Sequence, residues 1–235
     1  MKTKTQKISA AIAGCALALS SVFAFSPATA APAVESSSDY KEIVEHLKTD
    51  GVPTEHQDAL AKKALSGVPL DSADPENEPV SVDTWNDGVN KYERKTYADN
   101  SYTLSTLEMG RKVPAGVAVP AAISGCIVTT GTGYQQNQNC RVSESTATYK
   151  ASFTATYVFS GGVYGSISKA SNGNVKGFGG TVSSISTKIE KSRSDGRVPA
   201  SAYVKWNFKM AGDISGGTTY LYLKVTPKTA YTVAD

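Results

Sequence analysis

The chain has 235 residues, with 24 basic and 21 acidic side chains, 40% hydrophobic residues and two histidines. That length suffices for one sizeable core or two small ones. Both histidines, His46 and His56, fall early in the chain, which excludes a Ser-His-Asp or Cys-His site from the C-terminal half unless the N-terminal part supplies the base. The charges are divided rather than mixed: residues 31–110 carry 16 acidic and 7 basic side chains, net −9, and residues 111–235 carry 5 acidic and 14 basic, net +9. Either the two halves face each other, or the basic half meets an anionic partner.

Residues 1–30 read as a secretory signal. Lys2, Lys4 and Lys7 form a basic start, Ile8 to Phe25 is apolar, Ser26-Pro27 breaks the run, and Ala28-Thr29-Ala30 supplies small residues for cleavage after Ala30. Ile12-Ala13-Gly14-Cys15 has the form of a lipobox, but the apolar run continues well past Cys15, which argues against lipidation. The expected location is extracellular, where disulfides persist. Beyond the signal only Cys126 and Cys140 remain, and an isolated pair in a secreted chain reads as one disulfide. Such a loop would contribute about 3 kcal/mol.

Residues 31–72 read as a flexible start followed by an acidic helical hairpin. Asp39 with Glu42 signals a helix start, and Tyr40, Ile43, Val44 and Leu47 recur at helical spacing. Gly51-Val52-Pro53 ends that helix. Thr54 with Gln57 forms a second capping box before Leu60, Ala61, Ala64 and Leu65. Both histidines fall on the polar faces and read as solvated. A hairpin this short cannot build a core alone.

Residues 73–118 read as an acidic, Pro-broken linker, a short β meander and the start of a second linker. Asp71, Asp74, Glu76 and Glu78 lack the pattern of a calcium loop, so no metal site is expected. Strands are expected at Val82–Trp85, Lys91–Tyr97 and Tyr102–Met109. Residues 110–121 read as the second linker, with Arg111-Lys112 open to proteases.

Residues 119–235 read as an antiparallel β-sandwich. In 147–159 every second residue is apolar: Ala147, Tyr149, Ala151, Phe153, Ala155, Tyr157 and Phe159. Asn172-Gly173 reads as a hairpin turn, as does Asp195-Gly196. Ala200, Ala202, Val204, Trp206, Phe208 and Met210 repeat the alternation. The residues Gly212 to Gly217 turn the chain once more, before Leu221, Leu223 and Val225. Phe153, Tyr157, Trp206 and Phe208 are expected to face inward.

No hydrolase elbow, zinc, phosphate-loop or EF-hand pattern occurs, so the expectation is a non-enzymatic protein without cofactors. The positive residues Lys169, Lys176, Lys188, Lys191, Arg193 and Arg197, with Tyr164 and Phe178 nearby, suggest a binding patch for an anionic wall polymer, a lipid or an acidic protein. Nucleic acid is not expected. The alternative is a dispersed, solvated face. The charge division further suggests that the acidic segment docks on the basic half and masks it.

A set of short stretches adds a resemblance. Ser124-Gly125-Cys126, Gly133-Tyr134, Asn139-Cys140, Ser152-Phe153-Thr154-Ala155, Phe159-Ser160-Gly161-Gly162 and Lys228-Thr229-Ala230-Tyr231-Thr232 follow a signal and a helical hairpin. This order resembles a group of secreted proteins of unknown function from actinobacteria and other Gram-positive bacteria. The resemblance implies a one-disulfide β domain and export, and no activity. The sequence as a whole suggests a secreted protein that recognises an extracellular or cell-wall partner through its basic β domain. The second reading is a membrane-active, bacteriocin-like toxin. Intact-mass measurement on protein from culture supernatant is expected to give a chain beginning at Ala31; a species retaining residues 1–30, or lipidated at Cys15, would contradict the leader assignment.

Overall fold

The alternating segments pair into two sheets that bury their apolar phases against each other. The computed structural model describes residues 37–114, 125–210 and 217–234, all within one compact unit. The expected leader with its lipobox, residues 31–36, most of the 110–121 linker, Ser124 and most of the 212–217 turn lie outside those residues.

Two helices come first, α1 (Ser38–Thr49) and α2 (Thr54–Leu65), then a 3-10 turn at Asp71–Ala73. The first sheet comprises β1 (Ser81–Asn86), β2 (Asn90–Thr96), β3 (Tyr102–Glu108), β4 (Arg111–Pro114), β5 (Ile127–Gly131), β6 (Tyr134–Thr146), β7 (Tyr149–Ser160) and β8 (Tyr164–Gly177). The second comprises β9 (Gly180–Lys191), β10 (Ala200–Met210), β11 (Thr218–Val225) and β12 (Ala230–Ala234), in the order β12-β11-β10-β9. The fold is therefore mainly β: a sandwich preceded by a short helical hairpin and a small meander, β1–β3.

One long strand organises the first sheet. β7 pairs along one edge of β6, and β8 along β7. The other edge of β6 is shared: Val142–Thr146 pairs with β3 and Tyr134–Gln138 with β5. At the changeover the Glu108 carboxylate accepts the Cys126 N–H through Oε1 and the Arg141 N–H through Oε2, each at 2.9 Å. The Cys126–Cys140 disulfide closes the same junction. Arg111 N–H donates to the Cys126 carbonyl at 3.0 Å and starts β4, which pairs parallel with β5. Arg111-Lys112 thus lies in a paired strand, where an open linker was expected.

The inner layer follows the alternation. Val142, Phe153, Ala155, Tyr157 and Ile167 of the first sheet meet Ala202, Val204, Trp206, Leu221 and Leu223 of the second. Phe153, Tyr157 and Trp206 are buried, and Phe208 packs half-buried at the margin. Asn172-Gly173 does not turn the chain: β8 runs through it, with a bulge in the pairing to β7. The reason is the neighbouring sheet. A Cβ on Gly173 would stand 2.0 Å from Thr187 Oγ1 and 3.0 Å from Val204 Cγ2, so only glycine lets β8 lie this close to β9 and β10. The chain crosses between sheets later, at Phe178-Gly179. At the other end of β9, Ile167 N–H donates to the Ser192 carbonyl and Ser194 N–H to the Gly165 carbonyl, which ties the two sheets along that side.

The helical hairpin seats on one end of the first sheet. Ile43, Leu47, Leu60, Ala61 and Ala64 form a second core with Tyr102, Ala147 and Phe178. Gly179 at φ +68° lies under α1, where a Cβ would meet Ile43 Cδ1 at 2.6 Å. The caps differ from the expected boxes. Ser37 caps α1, its Oγ accepting the Tyr40 N–H, and Asp39 sits in the first turn. In α2, Pro53 starts the helix and Gln57 turns inward to donate to the Val52 carbonyl at 2.7 Å. The centre of the seam is apolar; hydrogen bonds from His46, Tyr102 and Arg94 cross it, and Lys176–Glu42 at 3.1 Å and Lys63–Asp99 at 2.8 Å are ion pairs across it.

His46 is buried, where the helical periodicity placed it in solvent. Its ring stacks on Phe178 at 3.6 Å and 11°. Nε2 lies 2.7 Å from the Thr146 carbonyl, which requires the proton on Nε2. Asp50, 3.7 Å away, accepts the Tyr102 hydroxyl at 2.8 Å, and its own carbonyl accepts from Arg94. Burial lowers the His46 pKa from 6.5, although Asp50 pulls it upward.

Two outcomes follow. Trp206→Ala should cost about 3–5 kcal/mol in denaturant unfolding, because the side chain leaves a cavity between the sheets; a change below about 0.5 kcal/mol would contradict its burial. For His46, the unfolded chain binds a proton more readily than the folded one, so stability is full above about pH 6.5 and falls as pH drops below it. His46→Gln keeps a donor for Thr146 and cannot charge. Between pH 7 and pH 5 the wild type should lose more stability than this variant; parallel pH profiles would contradict the assignment.

Candidate functional site

The predicted basic patch divides among three places. Lys169 and Lys176 are exposed on the outer face of the eight-stranded sheet, opposite Thr156 and Lys150 of β7. Lys176 also reaches over the Phe178 ring, its Nζ 4.8 Å from the centroid. Phe178 itself is buried beneath His46 and offers no surface, because the crossing turn tucks it into the hairpin seam. Lys188 lies on the other sheet, opposite Tyr203. Lys191, Arg193 and Arg197 gather around the turn after β9. There Asp195 pairs with Lys191 and accepts the Arg197 and Val198 N–H groups, and these bonds, the Lys191 contact first, hold its carboxyl down at about 2. Arg193 stacks on Tyr164, 3.5 Å from the ring centroid. Tyr164 and Arg193 are thus brought together, while Lys169 and Lys176 are separated from Lys188 by the core.

A more coherent surface covers the outer face of the four-stranded sheet. The wet phase of β10 carries Tyr203 and Lys205, and that of β11 carries Tyr220, Tyr222 and Lys224. Cross-strand pairing sets Val233, Tyr222, Tyr203 and Lys188 in one row, with Lys205–Tyr220 and Tyr231–Lys224 alongside. Tyr220 and Tyr222 stack at 5.6 Å and 14°, and Tyr203 meets both edge-on at 5.3 and 5.5 Å. The rings are half-exposed, and Tyr231 and Val233 are exposed at the β12 edge. Lys224 lies over the Tyr222 ring at 4.1 Å and near Glu190, 3.7 Å away. Lys188 and Lys205 have no ion-pair partner among the described residues.

This arrangement suits binding rather than bond-breaking. Tyrosine faces offer rigid, amphipathic area to stack on a ring or an alkyl chain, and lysines supply point charges for an anion. Tyr203, Tyr220, Tyr222, Lys205 and Lys224 were missed because the alternation was used to find the buried phase. The signal was the opposite phase, in which tyrosine and lysine recur where serine and threonine would suffice.

No family model matches the chain, and no curated protein matches it. Among solved structures the chain is similar to a hypothetical protein from Listeria monocytogenes, with 18% identity over 64% of this chain and 96% of that one, at a TM-score of 0.33.

Proposed function

We propose that this is an exported recognition protein whose outer four-stranded face binds an anionic wall polymer, a chain of phosphate- or carboxylate-bearing polyol or sugar units. The observation that carries the reading is the sheet of stacked tyrosines flanked by Lys188, Lys205 and Lys224, against which Glu190 is the opposing charge. The surplus of nine positive charges in residues 111–235 strengthens attraction to a polyanion. The Cys126–Cys140 disulfide is compatible with an extracellular location. The protein acts by holding its target: rings stack on repeating units while lysines contact successive charges, and many weak contacts along a polymer add up.

The test is co-sedimentation or calorimetry with a purified polyol-phosphate wall polymer, with anionic vesicles as a second arm. Lys188→Glu with Lys205→Glu should weaken polymer binding at least tenfold with little change in stability, and raised salt should weaken the wild type in the same direction. Lys169→Glu, on the opposite sheet, should leave binding unchanged. Equal losses from Lys169→Glu and the double variant would show diffuse charge attraction, and binding or leakage of vesicles without polymer binding would favour a membrane role.

A further inference from the structure

The two sheets are not the same width, and the excess creates a cleft. β3 of the first sheet lies against β12, the last strand of the second, and the first sheet continues past it through β2 and β1. The space between them, closed at one end by the segment 72–79, has a volume of about 800 Å³. That segment is fixed in place: Asp71 and Asp99 both bind the Lys63 ammonium, at 2.9 and 2.8 Å, each also accepts the other's backbone N–H, and Ser72 N–H donates to Ser101. The cleft is therefore a built feature. It faces the interior side of the sheets, away from the tyrosine face.

At its floor is Glu144. Its place in β6 alternates with Val142 and Cys140, and it pairs with Ala151, so it points between the sheets; it is 1% exposed. The Tyr149 hydroxyl donates to Oε1 at 2.7 Å. Oε2 is buried and has no hydrogen-bond partner, and Glu144 is one of the residues at the cavity wall. A buried carboxyl with half its acceptors idle is an expensive arrangement; among the described residues Asn137 Nδ2, Thr187 Oγ1 and Trp206 Nε1 are also buried without a partner, but none of those three carries charge or lines the cleft. Burial pushes its pKa up to about 7; the Tyr149 hydrogen bond, the charge of Lys95 and the nearby Ser105 hydroxyl pull it down without cancelling that effect.

The rest of the lining states what would complete it. Asp74 and Glu78 add negative charge from the closing segment, and Lys95 is the cation among the lining residues. Lys95 already lies 3.5 Å from Glu93, so the carboxylates outweigh it. Tyr97 and Tyr149 bring aromatic rings, which favour a cation, and Thr103, Thr219 and Thr232 bring hydroxyls. An anion would find Lys95 already shared with Glu93, and a wholly apolar ligand would leave the carboxyls and hydroxyls unmet.

We propose that the cleft binds a small polyhydroxylated amine, with the ligand's ammonium donating to Glu144 Oε2 and its hydroxyls meeting the threonine walls. The volume accommodates a ligand of open-chain amino-sugar size. The site meets the polymer-binding face only at Val233 on the β12 edge, and the inference does not depend on that face's proposed role.

The experiment compares two probes that differ in one group: 1-amino-1-deoxyglucitol, cationic at neutral pH, and glucitol, which carries a hydroxyl instead. Each is titrated into the oxidised protein and followed by two-dimensional NMR. The amine should shift the backbone signals of Glu144, Tyr149 and Thr103 saturably, with an affinity at least tenfold above that of glucitol. Glu144→Gln keeps an acceptor for Tyr149 and removes the charge; it should abolish the preference while signals away from the cleft stay those of the wild type. Thr219→Val, which leaves Glu144 untouched, should weaken the amine severalfold and guards against a folding artefact. Equal affinity for both probes, no saturable shift with the amine, or an unchanged preference in Glu144→Gln would each overturn the proposal.

Discussion

The changeover on the edge of β6 is the constraint on which the rest of the molecule depends. A strand of 13 residues offers one edge to two partners, β3 and β5, and neither ladder can continue through the other. A register shift between Asn137 and Cys140 marks the place on the β7 side. The backbone donors of Cys126 and Arg141 would otherwise be left without strand partners. A single carboxylate, Glu108, takes both, and the disulfide fixes the distance it must span. With that junction set, β3 carries Tyr102 to the hairpin seat at one end and aligns Thr103 and Ser105 along the cleft. Both peripheral features are thus positioned by one interior irregularity.

The hairpin seat and the cleft floor respond to acid in opposite directions. His46 is held neutral, so the folded state loses stability as pH falls below about 6.5. Glu144 is raised to about 7 from an ordinary value near 4.5, so the folded state binds its proton more readily and gains stability as pH falls through that interval. The two groups sit on neighbouring parts of β6 and α1 and partly offset each other between those limits. A flat global pH profile would therefore conceal two local changes, a loosening helix seat and a relaxed carboxyl. The charge division between the halves contributes less to this seat than its size suggests. The seam is built from Ile43, Leu47, Leu60 and Phe178, with Lys176–Glu42 at its margin.

Much of the architecture was legible because burial in a sandwich has a simple period. Residues 147–159 and 200–210 alternate strictly, and Phe153, Tyr157 and Trp206 lie where that alternation puts them. The meander strands and the disulfide were legible for the same kind of local reason. What escaped depends on contacts distant in sequence. Asn172-Gly173 has the composition of a turn, but its glycine answers to Thr187 and Val204 on the other sheet. His46 looks polar on a helical wheel, yet its partner Thr146 is a hundred residues away. Phe178 looked like a surface aromatic because its neighbours are glycines and lysines, whereas it is covered by a helix. The tyrosine face was visible as residues but not as a surface, since only the pairing of β9 to β12 sets those side chains in rows. Glu144 gave no signal at all: an acid between serines on a strand reads as solvated until the second sheet closes over it.

The crossing at Phe178-Gly179 has a consequence for how the molecule assembles. That turn is where the chain leaves one sheet for the other, and it is also part of the floor on which α1 rests, with Ile43 against Gly179 and His46 against Phe178. The floor is composite: Tyr102 and Ala147 come from the first sheet, Phe178 from the crossing, and Met210 from the end of β10 in the second. None of it exists until strands remote in sequence have come together, a slow, high-contact-order event. The helices are made first at the ribosome yet have nowhere to rest until β3, the β6–β7 end and the crossing have come together. The helices therefore act as a latch on the assembled end of the first sheet, and an unlatched hairpin marks a chain in which that end has not yet formed.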